Sequence, residues 1–266
     1  MRPLDLEAVR AHPLVATLEW HDEVGSTNDR AKELVTSGVG SPALVGTDRQ
    51  TAGRGRGSNR WWSADGALTF SFVIDTRAWE IAPESQGIVS LATGVATIEA
   101  VGTAASVSAQ HKWPNDVFLG GKKLAGILIE SPQPNHLVIG VGINANNTFE
   151  HAPDDLRATA TSLADHVGSS VDPTTLMLAF LDAMEACLQL VAARPAELIE
   201  AARAACLLTG RRLTIVDGDR TVTGICRGID DNGGLRIEVN GVTSSFIAGT
   251  IQSVDPPLGD PPHAST

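Results

Sequence analysis

The residue pattern of the chain changes at Gly210, and this change restricts the possible folds more than any other feature. Beyond it, short runs rich in β-branched residues alternate with turn sequences such as Asn232-Gly233-Gly234 and Asn240-Gly241. Runs of four or five residues between Gly, Asn and Asp turns are typical of small antiparallel sheets and barrels. The predicted units are a large domain over residues 1–209, a small β-barrel over residues 210–256 and a disordered, Pro-rich tail over residues 257–266.

The part of the chain before Gly210 mixes helix and strand patterns. Apolar residues recur at helical spacing over residues 88–100, 174–191 and 195–207, and Ser26-Thr27-Asn28 stands where a helix N-cap is expected. Apolar runs rich in Val, Ile and Phe predict strands between the helices. The predicted strands are residues 43–47, 67–74, 107–112, 117–119, 124–130 and 136–143. The patterns therefore predict an α/β domain.

Composition restricts the partners and the compartment. The formal net charge of -11 argues against general DNA binding, because affinity for duplex DNA depends on Lys and Arg contacts to phosphates. Cys187, Cys206 and Cys226 show neither metal-ligand spacing nor a disulfide pattern, which favours a reducing compartment. The N-terminus is acidic where a secretion signal needs an apolar run, and no segment approaches the roughly 18–20 apolar residues of a membrane span. We expect a cytoplasmic protein without DNA or membrane partners.

A Gly/Arg segment, residues 53–63, is the strongest sign of a binding site. Three arginines stand among glycines, and the segment closes on Trp61 and Trp62. Glycine lets backbone N–H groups come close to a ligand, guanidinium groups match phosphate or carboxylate oxygens, and an indole offers a flat face to a ring. The segment predicts a loop around an anionic, partly aromatic ligand such as a nucleotide; the alternative is a solvated basic loop.

Three further clusters follow, at residues 111–117 (HKWPNDV), 122–130 (KKLAGILIE) and 140–144 (GVGIN). In the first, polar side chains precede a strand, although Pro-Asn-Asp is also a common turn. In the second, Lys123 is either an edge-strand charge or a cation facing a developing anion. In the third, two glycines within an apolar strand permit close approach of a backbone or a ligand. The sequence contains no P-loop, dinucleotide fingerprint, zinc-ligand cluster or G-x-S-x-G element.

In this order, the motifs resemble those of the biotin protein ligases. The similarity runs from about Glu23 to Val254. It rests on Gly25-Ser26-Thr27-Asn28, on QTAGRGR at residues 50–56, on KWPND at 112–116, on KLAGIL at 123–128 and on GVGIN at 140–144. The resemblance implies a mixed, largely antiparallel sheet flanked by helices, akin to class II aminoacyl-tRNA synthetases, followed by an SH3-like barrel.

The resemblance also implies a two-step reaction. Biotin and ATP, with Mg²⁺, would give biotinyl-5′-AMP and pyrophosphate. A lysine of a biotin carboxyl carrier domain, from an acyl-CoA or pyruvate carboxylase, would then attack the mixed anhydride and release AMP. The implied catalytic residues are Lys123 and Arg54. The implied biotin contacts are Ser26, Thr27, Asn28, Gln50, Gly53, Arg54, Gly55, Arg56, Lys123 and Gly126. The implied nucleotide contacts are Arg54, Arg56, Trp61, Trp62, Asn115, Asp116 and Asn144, with Asp116 near Mg²⁺ and one of the two indoles on adenine.

Two departures from the family pattern bear on these expectations. Residues 57–60 read Gly-Ser-Asn-Arg where many relatives carry a further arginine, which affects how the loop holds the adenylate. Only 25 residues precede Ser26, too few for the helix-turn-helix domain of repressor-type members, so we expect no transcriptional regulation. The sequence leaves the oligomeric state open between a monomer and a weak homodimer. We expect the Gly/Arg loop to be disordered before ligand binds. The alternative functions are a lipoate or octanoyl ligase and a sensor that holds biotinyl-adenylate without transferring it.

Overall fold

The large domain is built on a seven-stranded sheet in the computed structural model, which describes residues 3–258. The strands are β1 (Thr17–Val24), β2 (Ala43–Gln50), β3 (Leu68–Asp75), β4 (Gln110–Lys112), β5 (Asp116–Leu119), β6 (Lys122–Gln133) and β7 (His136–Ile143). Their order is β1-β2-β3-β7-β6-β5-β4, and β1 and β2 are parallel whereas the other neighbours are antiparallel. The predicted mixed, largely antiparallel sheet is confirmed. The edge strand β1 was not predicted, because its residues are mostly polar and half-buried.

Seven α-helices accompany the sheets within the described residues. They are α1 (Leu6–Arg10), α2 (Thr27–Thr36), α3 (Val89–Ala105), α4 (Asp154–Thr159), α5 (Leu163–Val167), α6 (Pro173–Ala193) and α7 (Pro195–Ala204), and a 3-10 helix (Pro83–Ile88) leads into α3. The predicted helices correspond to α2, α3, α6 and α7. The other three have only five or six residues, too few to show a helical period in the sequence.

Strand β3 shows how the large sheet acquires two different sides. On one side, which we name the core face, its alternate residues are apolar, and the rings of Phe70 and Phe180 of α6 meet edge to face with centroids 5.0 Å apart. On the other side it carries Thr69, Ser71 and Val73, because successive side chains of a strand point to opposite faces.

The long helices α3 and α6 pack against each other over the core face. The helical segments Pro83–Ala105 and Pro173–Ala193 are long and apolar enough to cross a membrane by length and composition, which corrects the expectation that no segment approaches that length. Small residues such as Ala, Gly and Thr interrupt the large apolar side chains of the first segment, and Asp182 and Glu185 interrupt those of the second. Because 61% and 50% of their most apolar windows are buried within the protein, core packing accounts for the composition.

Helix α2 covers the opposite side of the sheet near β2. Leu34 and Val35 pack there with Val45 and Val73 in a small separate apolar cluster. Ser26 stands at the N-cap as the sequence predicts, but its side chain makes no capping hydrogen bond to a described residue. The rest of this side, towards β6 and β5, is not covered by α2 and forms the floor of a cavity.

The C-terminal part forms a separate five-stranded antiparallel sheet. Its strands are β8 (Arg212–Asp217), β9 (Arg220–Ile229), β10 (Leu235–Val239), β11 (Val242–Phe246) and β12 (Thr250–Asp255), in the order β11-β10-β9-β8-β12. This confirms the small C-terminal β-unit, to which the structure adds β12. The Trp113 indole donates a hydrogen bond to the Gly233 carbonyl over 3.0 Å and so ties the two sheets together. The domain boundaries stay predictions, and residues 259–266 of the predicted tail lie outside the described residues.

Candidate functional site

A cavity of about 820 Å³ lies between the large sheet, the Gly/Arg loop, α4 and the C-terminal sheet. This is a volume typical of small-molecule sites. The predicted residues that line it are Ser26, Thr27, Asn28, Gln50, Arg54, Gly55, Arg56, Trp61, Asn115, Asp116, Lys123 and Gly126. Gly53, Trp62 and Asn144, although described by the structure, do not line it. Segments far apart in the sequence thus meet around one space.

The cavity floor is a single row of residues that crosses the sheet from β3 to β4. In the order of strand pairing, the row is Thr69, Gly142, Gly126, Asp116 and Lys112. Directly paired residues point to the same side of a sheet, so these five define one surface, which we name the cavity face. The two central glycines leave open space above the strands, and the polar residues flank that space.

A polar cluster lies at the α2 end of the cavity. The Thr27 amide donates to Gln50 Oε1 over 2.7 Å. The Ser71 hydroxyl lies 2.8 Å from Thr27 Oγ1 and 2.6 Å from Asn28 Oδ1. Gly140 makes this arrangement possible, because a Cβ there would lie 2.1 Å from Asn28 Oδ1. The cluster offers amide and hydroxyl groups in a buried setting, which suits a neutral ligand group with both donors and acceptors.

The Gly/Arg loop is a short hairpin over the cavity. Arg54 and Arg60 form an isolated antiparallel bridge, and the Trp61 amide donates to the Gly53 carbonyl over 3.1 Å. Gly53 is needed for this closure, because a Cβ there would lie 2.7 Å from the Trp61 carbonyl oxygen. Gly53 therefore supports the shape of the loop without lining the cavity. The expectation that the loop is disordered before ligand binds stays a prediction.

Two of the loop arginines that line the cavity, Arg54 and Arg56, contact other parts of the protein. Arg54 Nη2 is paired with Glu130 Oε2 and lies 3.0 Å from Asp29 Oδ1. Arg56 Nη2 donates to the Gly249 carbonyl of the C-terminal sheet region. One arginine thus anchors the loop to the large sheet and α2, and the other anchors it to the C-terminal sheet.

Cations surround a carboxylate at the other end of the cavity face. Lys123 Nζ lies 2.6 Å from Asp116 Oδ1. The ammonium group of Lys112 lies 5.1 Å from the ring centroid of Phe118. Burial lowers the pKa of Lys112; the charge of Asp116 opposes this shift and that of Lys123 reinforces it. Two lysines around one carboxylate leave a net positive charge, which suits a phosphate.

The two tryptophans of the loop have different positions. Trp61 lines the cavity above Gly142, where a Cβ would lie 2.3 Å from the indole Cε2. Trp62 is 39% exposed. Only Trp61 is therefore placed to stack on a ring in the cavity.

The side chains of the two predicted asparagines both form hydrogen bonds within the protein. Asn115 lines the cavity, and its Nδ2 donates to the Ile127 carbonyl over 2.9 Å. Asn144 is buried outside the cavity, with its Oδ1 accepting from Asn147 Nδ2 over 3.2 Å. The predicted contact of Asn144 with the nucleotide stays a prediction.

Three buried polar atoms of cavity-lining residues have neither a hydrogen-bond nor an ion-pair partner among the described residues. They are Arg54 Nε, Trp61 Nε1 and Thr69 Oγ1. Buried polar groups are nearly always paired in folded proteins, so each orphan requires an explanation. Their common position at one cavity indicates donors and an acceptor that a bound ligand would satisfy.

Sequence reasoning did not single out Thr69, Ser71, Lys112 or Glu130. A signal existed for the first two, because polar residues alternate with aromatic ones in β3 although the whole strand is buried or nearly so. No comparable signal marked the C-terminal residues that line the cavity, which are Val216, Asp217, Gly218, Gly249, Thr250 and Ile251. They reach it only because the C-terminal sheet packs beside the loop.

No part of the described chain, residues 3–258, brings together three or more His, Cys, Asp or Glu side chains that could hold a metal ion. Asp116 alone, already paired with Lys123, is a weak site for a divalent cation. It fits Mg²⁺ that arrives on nucleotide phosphates, since Mg²⁺ commonly uses one or two carboxylates together with substrate phosphates.

Comparison with known proteins agrees with this geometry. Residues 21–144 match the model of the Biotin/lipoate A/B protein ligase family, and residues 209–253 match the Biotin protein ligase C terminal domain. The biotin–[acetyl-CoA-carboxylase] ligase of Mycobacterium tuberculosis is 34% identical over 260 residues, which cover 94% of this chain and 95% of that protein. The bifunctional ligase/repressor BirA of Bacillus subtilis is 32% identical over 231 residues, covering 84% and 70% of the two chains.

A solved structure shows the same likeness. The biotin protein ligase of Aquifex aeolicus in complex with biotin and ATP superposes with a TM-score of 0.78 at 28% identity, covering 90% of this chain and 98% of that one. The similarity extends through both sheets and, in sequence, over nearly the whole length of a relative. The chain belongs to the biotin protein ligase family.

Proposed function

We propose that this protein attaches biotin to a lysine of a biotin carboxyl carrier domain, through a biotinyl-5′-AMP intermediate. One observation carries the proposal: a single cavity joins the polar cluster of Thr27 and Gln50 to the lysines around Asp116. A reaction that couples a small neutral ring system to a nucleotide needs both substrates side by side. Holding them in one geometry removes much of the entropic part of the barrier.

In the first step, an oxygen of the biotin carboxylate attacks the α-phosphorus of MgATP. The bond from the α-phosphorus to the bridging oxygen breaks, and pyrophosphate leaves. Negative charge builds up on the phosphoryl oxygens, so fixed cations accelerate the step. Lys123 is the proposed catalytic cation, and Arg54 and Arg56 are proposed to bind the carboxylate and the α-phosphate. Lys112, which lies on the same face, adds positive charge beside Asp116.

In the second step, the neutral ε-amine of the carrier lysine attacks the carbonyl carbon of the mixed anhydride. The bond to the phosphate oxygen breaks, AMP leaves with the electron pair, and the new amide loses a proton. We propose that the carrier lysine enters the cavity beside the C-terminal sheet, which contributes Gly218 and Thr250 to the lining. The acceptor is proposed to belong to an acyl-CoA or pyruvate carboxylase.

The proposed ligand contacts follow the cavity from one end to the other. Ser26, Thr27, Asn28 and Gln50 hold the ring end of biotin, with Gly55 and Gly126 beside the chain. Trp61 stacks on adenine, and Asn115 and Asp116 lie at the nucleotide. Gly53, Trp62 and Asn144 do not line the cavity, so we propose indirect roles for them.

A cytoplasmic enzyme without DNA or membrane partners is part of the proposal. Cys187, Cys206 and Cys226 are all free and buried, as suits a reducing compartment. The net charge of -11 makes electrostatic attachment to DNA or to an anionic membrane unfavourable.

The test is exchange of labelled pyrophosphate into ATP, without any carrier protein, in parallel reactions with biotin, lipoate and octanoate. We expect exchange with biotin alone. Exchange with lipoate or octanoate instead would reassign the enzyme to the other branch of the matched family. Addition of a biotin carboxyl carrier domain should then release AMP and add one biotin; adenylate formation without transfer would favour the sensor alternative.

A further inference from the structure

Glu130 contacts two residues of the proposed site at once. Its Oε2 accepts a hydrogen bond from Asn28 Nδ2 over 2.8 Å and is paired with Arg54 Nη2. Glu130 lies four residues after Gly126 on β6, and residues two and four apart on a strand share a face. The carboxylate is therefore on the cavity side of the sheet, between the polar cluster and the Gly/Arg loop.

A small network of opposite charges surrounds this carboxylate. Lys32 Nζ lies 3.3 Å from Glu130 Oε1 and 2.8 Å from Asp29 Oδ1, and Asp29 also contacts Arg54. Burial raises the pKa of Glu130, but the hydrogen bonds from Asn28 and Arg54 and the nearby positive charges outweigh it, and the pKa lies below its usual value. Glu130 is thus ionised at neutral pH and has cations on both sides.

The carboxylates leave one part of Arg54 free. Both Glu130 and Asp29 contact Nη2, whereas Nε is buried and has no partner within residues 3–258. An unpaired buried N–H destabilises the folded protein until a partner satisfies it. A guanidinium fixed at one nitrogen, with an unsatisfied donor beside a cavity, is oriented for an anion that is added later.

We propose that Glu130 is a positioning residue for Arg54. It fixes the guanidinium relative to Asn28, so that the remaining N–H groups of Arg54 meet the negatively charged acyl-phosphate of the ligand. The proposal rests on the proposed function, because the anion it invokes is biotinyl-5′-AMP. A long arginine side chain loses conformational entropy when a ligand fixes it, and Glu130 removes that loss in advance. A rival role is the opposite one, in which Glu130 competes with the ligand for Arg54.

The experiment compares Glu130→Gln, Arg54→Ala and the double variant with the wild type. Biotinyl-5′-AMP is formed on the enzyme from biotin and ATP, and its release is measured after dilution into unlabelled intermediate. We expect roughly tenfold faster release from Glu130→Gln, the scale of losing one charged hydrogen bond. The release rates of Arg54→Ala and the double variant should agree within about twofold, because Glu130 acts only through Arg54.

The matched control is Glu33→Gln, which removes an exposed carboxylate of α2 that pairs with Arg30. It should leave adenylate release unchanged. Urea unfolding of each variant separates loss of the fold from loss of positioning, and a Glu130→Gln protein that is less stable yet holds the adenylate normally would reduce Glu130 to a structural role.

Two other results would also overturn the proposal. Slower release from Glu130→Gln would mean that the carboxylate competes with the ligand. Independent, additive effects of the two substitutions would mean that Glu130 does not act through Arg54. A wild-type enzyme that forms no biotinyl-5′-AMP would instead refute the proposed function, and the role of Glu130 with it.

Discussion

The core face and the cavity face of the large sheet belong to the same strands but differ in how their groups are satisfied. On the core face, Phe70 and Phe72 are fully buried among apolar side chains. On the cavity face, the buried Thr69 hydroxyl has no hydrogen-bond partner within residues 3–258, and Lys123 forms an ion pair with Asp116. The comparison indicates that one face supplies stability, whereas the other keeps unsatisfied polar groups for a ligand.

Strand β4 shows the same division between two adjacent residues. His111 is completely buried against α3, where a Cβ on Gly94 would lie 2.6 Å from the imidazole Cδ2. Lys112 projects to the cavity face and lines the cavity. Two adjacent residues of one sequence motif therefore have different roles: His111 packs in the core, and Lys112 belongs to the site.

The largest effect on stability should come from the core face. Phe72→Ala removes a fully buried ring and should lower the free energy of unfolding by about 3–5 kcal/mol. The rate of biotin-dependent pyrophosphate exchange per folded molecule should stay close to that of the wild type at low temperature. Urea unfolding measures the free energy of unfolding. The exchange assay, with active-site titration to count the folded molecules, measures the rate. A loss of exchange in fully folded Phe72→Ala protein would contradict the separation of the faces.

A substitution on the cavity face should lower activity strongly and stability little. Lys123→Ala should slow biotin-dependent pyrophosphate exchange about 10²–10³-fold, equivalent to ~2.7–4 kcal/mol of transition-state stabilisation. The free energy of unfolding should change far less, because Lys123 is part-exposed. Lys122→Ala is the matched control, since Lys122 is exposed and does not line the cavity. Equal effects of the two substitutions would rule out the catalytic role.

The pH dependence of stability should report on His111. Burial lowers the pKa of His111 from its usual value near 6.5 to about 4, against the smaller opposing effects of Asp116 and the Pro114 carbonyl. The unfolded chain takes up this proton below pH 6.5 whereas the folded chain does so only near pH 4. Stability from this source is therefore present above pH 6.5 and falls, by on the order of 3 kcal/mol, as the pH drops to 4.

Urea unfolding between pH 7.5 and pH 4 tests this expectation. His111→Leu should have a shallower pH dependence than the wild type, because leucine takes up no proton. His151→Leu, at an exposed position, should retain the wild-type slope. An unchanged slope in His111→Leu would show that other groups determine the acid sensitivity.

Gly142 tests how closely the cavity face is fitted to the loop. Gly142→Ala would place a methyl group 2.3 Å from Trp61 Cε2, so the indole or the strand must move. Overpacking of this kind should cost about 1–3 kcal/mol in unfolding free energy and should weaken binding of biotinyl-5′-AMP. Gly87→Ala is the control, since nothing lies within 4 Å of its added Cβ. Wild-type stability and binding in Gly142→Ala would mean that the indole does not occupy this position.

The smallest expected effect compares two buried threonines. Thr69→Val removes the cavity-face hydroxyl, which has no partner among the described residues. It should leave stability unchanged or slightly higher, while it weakens biotin binding. Thr97→Val removes a hydroxyl that donates to the Thr93 carbonyl over 2.8 Å within α3, and should cost about 1 kcal/mol without affecting biotin. Urea unfolding and calorimetric titration with biotin measure both. If Thr69→Val proved the more destabilising of the two, the hydroxyl would have an internal partner.

Much of the fold could be predicted from the sequence because local patterns carry it. Strands β2, β3, β6 and β7 and the two long helices lie close to their predicted ranges. Strand β1 escaped prediction because an edge strand with many polar residues lacks the alternation of a half-buried one. Strand β12 was not predicted for the same reason, since Gln252, Ser253 and Asp255 are exposed.

Site chemistry was less completely predictable. The motifs supplied the arginines, Lys123 and the polar cluster of α2, all of which line the cavity. They did not distinguish Trp61 from Trp62, and they suggested a direct role for Asn144, which is buried outside the cavity. Orientation decides these cases, and a motif records residue order but not the direction of each side chain.

The sequence by itself determined the family, the two-part organisation and the chemical groups of the site, because these follow from short motifs and local periodicity. Only the tertiary structure decided that Arg54 meets Glu130, 76 residues away, and that Arg56 reaches Gly249, 193 residues away. The physical reason is register: a shift of one residue in a strand reverses every side chain. The pairing of four strands, rather than any one segment, aligns Thr69, Gly142 and Asp116 on a single face.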